Sequence, residues 1–177
     1  MINASGAPVP VARPPAEAFN IEDLAESLSK VCRFNGHCRG FYSVAQHCVL
    51  VSQIVPHEYA LIGLLHDASE AYLSDLSSPV KWLDELAGYR QLEKVYEKQV
   101  ARRFGFPATL PDCVKRADLT ALATEKRDLM PPCEPWPILE GVETLPLVIE
   151  GLEWYDARPL FLERYREITS TQQALGF

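Results

Sequence analysis

Apolar residues recur at helical spacing over most of this chain. Ile21, Leu24, Ala25, Leu28, Val31 and Cys32 share one stripe, the pattern of a helix with a single buried face. Asn20 stands as its N-cap, and Glu22 and Asp23 occupy a first turn where carboxylates suit the helix dipole. Ser43-Val44-Ala45-Gln46 reads as a capping box. The helix it opens carries Val44, His47, Cys48, Val51, Ile54 and Val55 on one face, up to Pro56. Tyr59 to Leu73 is apolar nearly all round at Ala60-Leu61-Ile62-Gly63-Leu64-Leu65, which predicts a helix central to its domain. A long amphipathic helix is predicted from Trp82 to Phe104, with Leu86, Tyr89, Leu92, Tyr96 and Val100 inward and Gly105 and Pro107 closing it. Two more follow, from Asp112 to Met130 and from Ala157 to Thr169.

The intervening segments read as loops. Gly36 and Gly40 break the pattern over Phe34 to Phe41, and Asp75 to Pro79 is a second break. Residues 131–155 hold Pro131, Pro132, Pro135, Pro137 and Pro146, too much proline for a helix. Residues 1–18, rich in proline and alanine, read as an extended arm. No segment of convincing length alternates with the period of a strand. The expectation is an all-α domain over residues 19–177, with about six or seven helices.

Composition narrows the class. The chain has 177 residues, 47% apolar and 23% charged, the profile of a soluble globular chain with one core. It contains no run of eighteen apolar residues that would cross a membrane. Met1 to Pro15 lacks the basic start and apolar stretch of a signal peptide. The formal net charge of −7 argues against a long nucleic acid as partner. A small anionic ligand held by a few local cations remains open. The cysteines, Cys32, Cys38, Cys48, Cys113 and Cys133, are odd in number and form no Cys-x-x-Cys, which fits reduced thiols in a cytoplasmic protein. Cys32, Cys48 and Cys113 fall in helical patterns as small buried hydrophobes.

Polar residues interrupt the apolar stripes at four places: His47, His66, Asp67 and Asp118. Any one alone is more often a satisfied core group than a ligand. Four together each need a separate solution, because buried polar groups without partners are costly. One divalent cation answers all four, since it takes imidazole nitrogen and carboxylate oxygen together. Glu70 lies four residues after His66 and shares its helix face, and Asp75 follows in the next loop.

Those residues carry a resemblance. Ser43-Val44-Ala45-Gln46-His47, then His66-Asp67-Ala68-Ser69-Glu70, then Asp75 with Pro79-Val80-Lys81, then Lys115-Arg116-Ala117-Asp118 resembles the HD-domain phosphohydrolase superfamily. The branch it resembles holds cellular 5′-deoxynucleotidases and phage-type dATP triphosphohydrolases, over about residues 20–130. The resemblance implies a helical bundle around a central divalent metal (zinc, cobalt or manganese) held by His47, His66, Asp67 and Asp118. It implies Glu70 as the group that orients or deprotonates the attacking water. Asp75 would position water, protonate the leaving oxygen, or help Glu70 hold a second metal. It implies Arg33 as a phosphate-binding arginine, with Lys81 and Lys115 as further phosphate-facing cations and Ser77 and Ser78 as weaker contacts. Phe34 stands where the cellular deoxynucleotidases carry tryptophan, and His37 is an added histidine in the same loop. The implied activity is metal-assisted hydrolysis of 2′-deoxynucleotides, with homo-oligomers as in relatives. Arg33, Lys81 and Lys115 together lean towards a dATP-like triphosphate that releases deoxynucleoside and triphosphate. A 5′-deoxynucleotidase acting on dNMPs is the alternative, and a non-catalytic nucleotide-binding module a second one.

Overall fold

A computed structural model describes the backbone of residues 1–175 and the side chains of residues 1–171. The protein is all-helical; among the described residues the only β pairing is two isolated bridges, Ile2 with Pro8 and Cys32 with Ser43. In chain order the α-helices are α1 (Ile21–Leu28), α2 (Val44–Ile54), α3 (Ala60–Leu65), α4 (Glu70–Leu73), α5 (Ser78–Lys81), α6 (Ala87–Phe104), α7 (Asp112–Leu129) and α8 (Trp154–Leu175). No described helix is long and apolar enough to cross a membrane.

The centre is α2, which packs on α1, α3, α7 and α8. Val44, Cys48, Val51, Leu64, Leu65, Val114 and Phe161 meet there in one buried cluster. Gly63 sets the spacing of α3 on α2. A Cβ at that position would stand 3.1 Å from Ser52 Cα and 3.2 Å from Val55 Cγ2, so the close helix approach favours glycine.

The caps follow the sequence with one exception. Asn20 Oδ1 accepts from Asp23 N at 2.8 Å, and Ser43 Oγ accepts from Gln46 N at 3.2 Å. Gln46 does not return the bond that a capping box would give. Its side chain donates to Glu150 O at 2.7 Å and accepts from Leu152 N at 2.9 Å. It thereby clamps the segment before α8.

Several boundaries differ from the sequence reading. Tyr59 to Leu73 is two helices, because the backbone turns through His66–Ser69 between α3 and α4. Trp82 to Phe104 does not form one helix. A short α5 and a 3-10 turn, Asp84–Leu86, precede α6. Arg90 Nη1 donates to Lys81 O and Leu83 O, both at 2.7 Å, and ties that turn down. Helix α8 begins at Trp154, ahead of the expected Ala157, with Pro159 in its second turn.

The N-terminal segment is not an extended arm. Ser5 N and Oγ donate to the two Asp23 carboxylate oxygens at 2.7 and 3.1 Å. Val9, Ala16 and Phe19 are buried against the bundle. Cys48 is buried, whereas Cys32 and Cys113 are only half-buried, and Cys32 stands outside α1. The proline-rich segment is irregular apart from one 3-10 turn, Pro137–Leu139.

Candidate metal centre

The break between α3 and α4 shapes the site. It leaves His66 at the C-terminal end of α3, where its Nδ1 donates to Gly63 O at 2.8 Å. His47, on α2, is fully buried, and its Nδ1 donates to Glu125 Oε1 at 2.6 Å. Both Nδ1 atoms are therefore committed to oxygen acceptors, and both Nε2 atoms turn inward as acceptors. They face each other at 3.3 Å.

Carboxylates join them. Asp67 Oδ2 lies 3.2 Å from His66 Nε2 and 3.5 Å from His47 Nε2. Asp118 Oδ1, from α7, lies 3.2 Å from His47 Nε2 and 3.9 Å from His66 Nε2. Ligand atoms of His47, His66 and Asp67 fall within 4.8 Å of one another, a group that could hold a metal ion. Asp118 stands outside that tight trio as the more exposed carboxylate. Such a set of acceptors needs positive charge at its centre. Burial disfavours charge on both histidines, and Arg33 adds to that at His47. The surrounding carboxylates outweigh these effects, Asp67 at His66 and Glu125 with Asp118 at His47, so both pKa values lie above the ordinary 6.5. Burial alone would raise the Asp67 carboxyl, but His66 and then His47 and Arg33 hold it far below its ordinary value. Asp118 is likewise lowered, by its hydrogen bond to His47, against the effect of burial. A proton or a divalent cation can supply the charge; two imidazole nitrogens with two carboxylates are a ligand set suited to the cation.

Glu70 opens α4 and is buried, and its Oε2 has no hydrogen-bond partner. Burial, Asp67 and Asp75 push its carboxyl well above the ordinary 4.5. Asp75 follows Ser74, whose φ of +68° turns the chain back. Its carboxyl is raised by burial and by Asp67, against the lowering effect of Arg33. Lys81 Nζ pairs with Glu93 Oε1 at 2.7 Å and reaches Glu70 Oε1 at 3.9 Å.

Arg33 is buried beside the centre. Its Nη2 donates to Glu125 Oε2 at 3.1 Å, its Nη1 lies 3.7 Å from Asp67 Oδ2, and its Nε is unpartnered. The next residue, Phe34, has its ring 5.3 Å from the Arg33 guanidinium. The structure thus gathers His47, His66, Asp67, Asp118, Glu70, Asp75, Arg33 and Lys81 around one point. It does not bring His37 or Lys115 there by any contact. His37 is exposed, and Lys115 is exposed and pairs with Asp112 at 3.0 Å.

Glu125 is a residue of this centre that the sequence reading missed. It is fully buried and bridges His47, Arg33 and, at 2.9 Å, the Tyr42 hydroxyl. Burial would raise its carboxyl, but Arg33 and His47 hold it down at about 2. The signal was its position seven residues after Asp118, two helical turns along the same face of α7. Glu93, partner of Lys81, was also missed.

These features define an all-helical protein with a buried His/Asp centre able to hold a metal. No family model matches the chain. The uncharacterized protein YfdR of Escherichia coli (strain K12) is 41% identical over 155 residues, 86% of this chain and 86% of that protein. The chain belongs to the same family as YfdR. The uncharacterized protein RCAP_rcc00048 of Rhodobacter capsulatus is 40% identical over 108 residues, 56% of this chain and 55% of that protein.

Proposed function

We propose that this protein is a metal-dependent phosphohydrolase of the HD-domain type, acting on 2′-deoxynucleotides. The observation that carries the reading is the convergence of two imidazole Nε2 atoms with Asp67 and Asp118, each Nδ1 being locked by an oxygen acceptor. His47, His66, Asp67 and Asp118 would hold the ion. A divalent cation there supplies a Lewis acid that acidifies water and polarises a phosphoryl oxygen. Glu70 offers the buried Oε2 that would accept the proton of the attacking water. Asp75 would position that water or return a proton to the leaving oxygen. Arg33 would present its guanidinium to phosphate oxygens, kept rigid by Glu125.

Charge accounting favours a single phosphoryl group over a triphosphate. Arg33 is already matched by Glu125, Lys81 by Glu93, and Lys115 by Asp112. Among the described residues no cluster of uncommitted cations stands ready at the centre for the extra charge of a triphosphate tail. We therefore place the 5′-deoxynucleotidase reading, dNMP to deoxynucleoside and phosphate, ahead of the triphosphohydrolase reading that the basic set suggested in the sequence. The test is a product assay on metal-stripped protein with zinc, cobalt and manganese added back separately. Its substrates are deoxy- and ribonucleoside mono- and triphosphates. Orthophosphate from dNMPs is the expected product. Inorganic triphosphate from a dNTP would overturn the monophosphate form, and absence of turnover with every metal would overturn the catalytic reading.

A further inference from the structure

The proline-rich segment between α7 and α8 is anchored to the bundle over its second half, residues 144–152. Thr124 Oγ1 accepts from Leu145 N at 3.0 Å, and Asp128 Oδ2 accepts from Ile149 N at 2.8 Å. Arg127 Nη1 donates to Thr144 Oγ1 at 3.0 Å and to Leu145 O at 2.8 Å. At its far end the Gln46 amide grips Glu150 and Leu152. Prolines limit the freedom of the remainder. The turn ahead of the anchored half is closed by local bonds, Leu139 N to Trp136 O at 2.9 Å and Glu140 N to Pro137 O at 3.2 Å, and presents one aromatic side chain.

Trp136 is that side chain. It is half-exposed, and its ring centroid lies 6.1 Å from that of Phe34, tilted by 50°. Lys126 Nζ lies 5.4 Å from the Trp136 ring and makes no ion pair among the described residues. Trp136, Lys126, Arg127, Pro135 and Pro137 line a cavity of about 570 Å³, within the size range of small-molecule pockets. Phe34 links this cavity to the centre, because its ring also borders the Arg33 guanidinium. Phe34 and Asn35 hold φ values of +56° and +52°, a left-handed conformation that side chains other than glycine rarely adopt. Strain of that kind persists where neighbouring structure fixes it, and it often marks a ligand clamp. Here the fixing contacts are Arg33 N to Tyr42 O at 2.9 Å and Arg39 N to Leu129 O at 2.7 Å.

We propose that Trp136 is the wall on which the substrate's base stacks. Phe34 forms the step between base and phosphate sites, and Lys126 meets the acceptor atoms of the base. The proposal rests on the nucleotide-hydrolase reading and adds to it the place where the base is held. An indole face stacks on any nucleobase, so this wall secures affinity for nucleotides as a class more than for one base.

The test is equilibrium binding of dAMP, with 2-deoxyribose 5-phosphate as the ligand that lacks a base. Trp136→Ala should weaken dAMP binding about tenfold or more, the size of one base–aromatic contact, and leave the sugar phosphate unchanged. Trp136→Phe should restore most of the loss. In a chain whose Trp82 and Trp154 are replaced by Phe, dAMP should quench the remaining indole fluorescence. Unchanged dAMP affinity in Trp136→Ala, equal loss for both ligands, or no affinity of the native protein for dAMP would each overturn the proposal. Binding needs no turnover, so the two readings separate. A protein that binds dAMP through Trp136 without hydrolysing it would contradict the reaction and support the wall. One that hydrolyses dNMPs with unchanged KM after Trp136→Ala would sink the wall alone.

Discussion

Replacing Glu125 by Gln removes one charge and almost no volume, at the residue that joins a candidate ligand to the candidate phosphate arginine. Native Glu125 accepts from three donors: His47 Nδ1 at 2.6 Å, Tyr42 Oη at 2.9 Å and Arg33 Nη2 at 3.1 Å. A glutamine has one acceptor oxygen and one NH2 group. If its oxygen faces His47, its NH2 meets the Arg33 guanidinium; if flipped, the NH2 meets His47 Nδ1–H. Either way a donor faces a donor in a fully buried place. Breaking a buried ion pair from one side costs about 3–5 kcal/mol. The isosteric amide keeps one bond, so we expect roughly 3 kcal/mol, the lower end of that range. For a chain of this length that is about 6–12 °C in Tm. Loss of the carboxylate that orients a metal-bound histidine should also weaken metal binding about 10- to 100-fold. The assays are thermal unfolding with and without zinc, and zinc competition against a chelator dye. If the variant holds zinc within about twofold of the native protein, against the 10- to 100-fold expected, and melts at the same temperature, Glu125 does not support the centre.

Gly63→Ala should destabilise the fold by about 1–3 kcal/mol, as overpacking does, because its Cβ would press on Ser52 Cα and Val55 Cγ2 at 3.1 and 3.2 Å. It should weaken metal binding as well, since α3 carries His66; an unchanged Tm would refute the packing account. Glu70→Gln should retain metal but lower kcat about 10²- to 10⁴-fold, the span of general-base catalysis, and near-native turnover would remove Glu70 from the mechanism. Acid should act partly through Glu125, whose folded pKa of about 2 lies below its ordinary 4.5. A depressed folded value stabilises the fold above about pH 4.5, and that gain is lost as pH falls towards 2. The shift is worth roughly 3 kcal/mol, so urea unfolding at mildly and strongly acidic pH should show a steeper loss in the native protein than in Glu125→Gln. Parallel losses would contradict the assignment.

The sequence carried the helices wherever one face was continuously apolar. Asn20 and Ser43 marked their helix starts correctly because their side chains bond the local backbone. Periodicity failed at His66–Ser69, since the apolar run continues while the backbone turns. It failed again at Trp82, where Arg90 holds carbonyls that no local pattern reveals. The folded-back N-terminal segment depends on Ser5 reaching Asp23 across eighteen positions, a pairing that spacing along the chain does not encode. Of the site, His47, His66, Asp67 and Asp118 stood out as polar residues on apolar stripes, and the structure brings their side chains together. Glu125 did not stand out, because Thr124-Glu125-Lys126-Arg127 looks like an ordinary solvated helix face. Its burial comes from Tyr42 and Arg33, both distant in sequence. Lys115 and Arg33 looked alike as candidate phosphate cations, yet one is exposed and the other buried against two carboxylates.

The central claim is that His47, His66, Asp67 and Asp118 hold one divalent cation. The most direct test is to titrate the metal-stripped protein with cobalt and follow both heat and visible absorption, in the native chain and in His66→Ala. The account expects one equivalent bound, with the spectrum of nitrogen and oxygen ligands, and loss of both signals in the variant. Failure of the native protein to bind cobalt, or equal binding by His66→Ala, would contradict it.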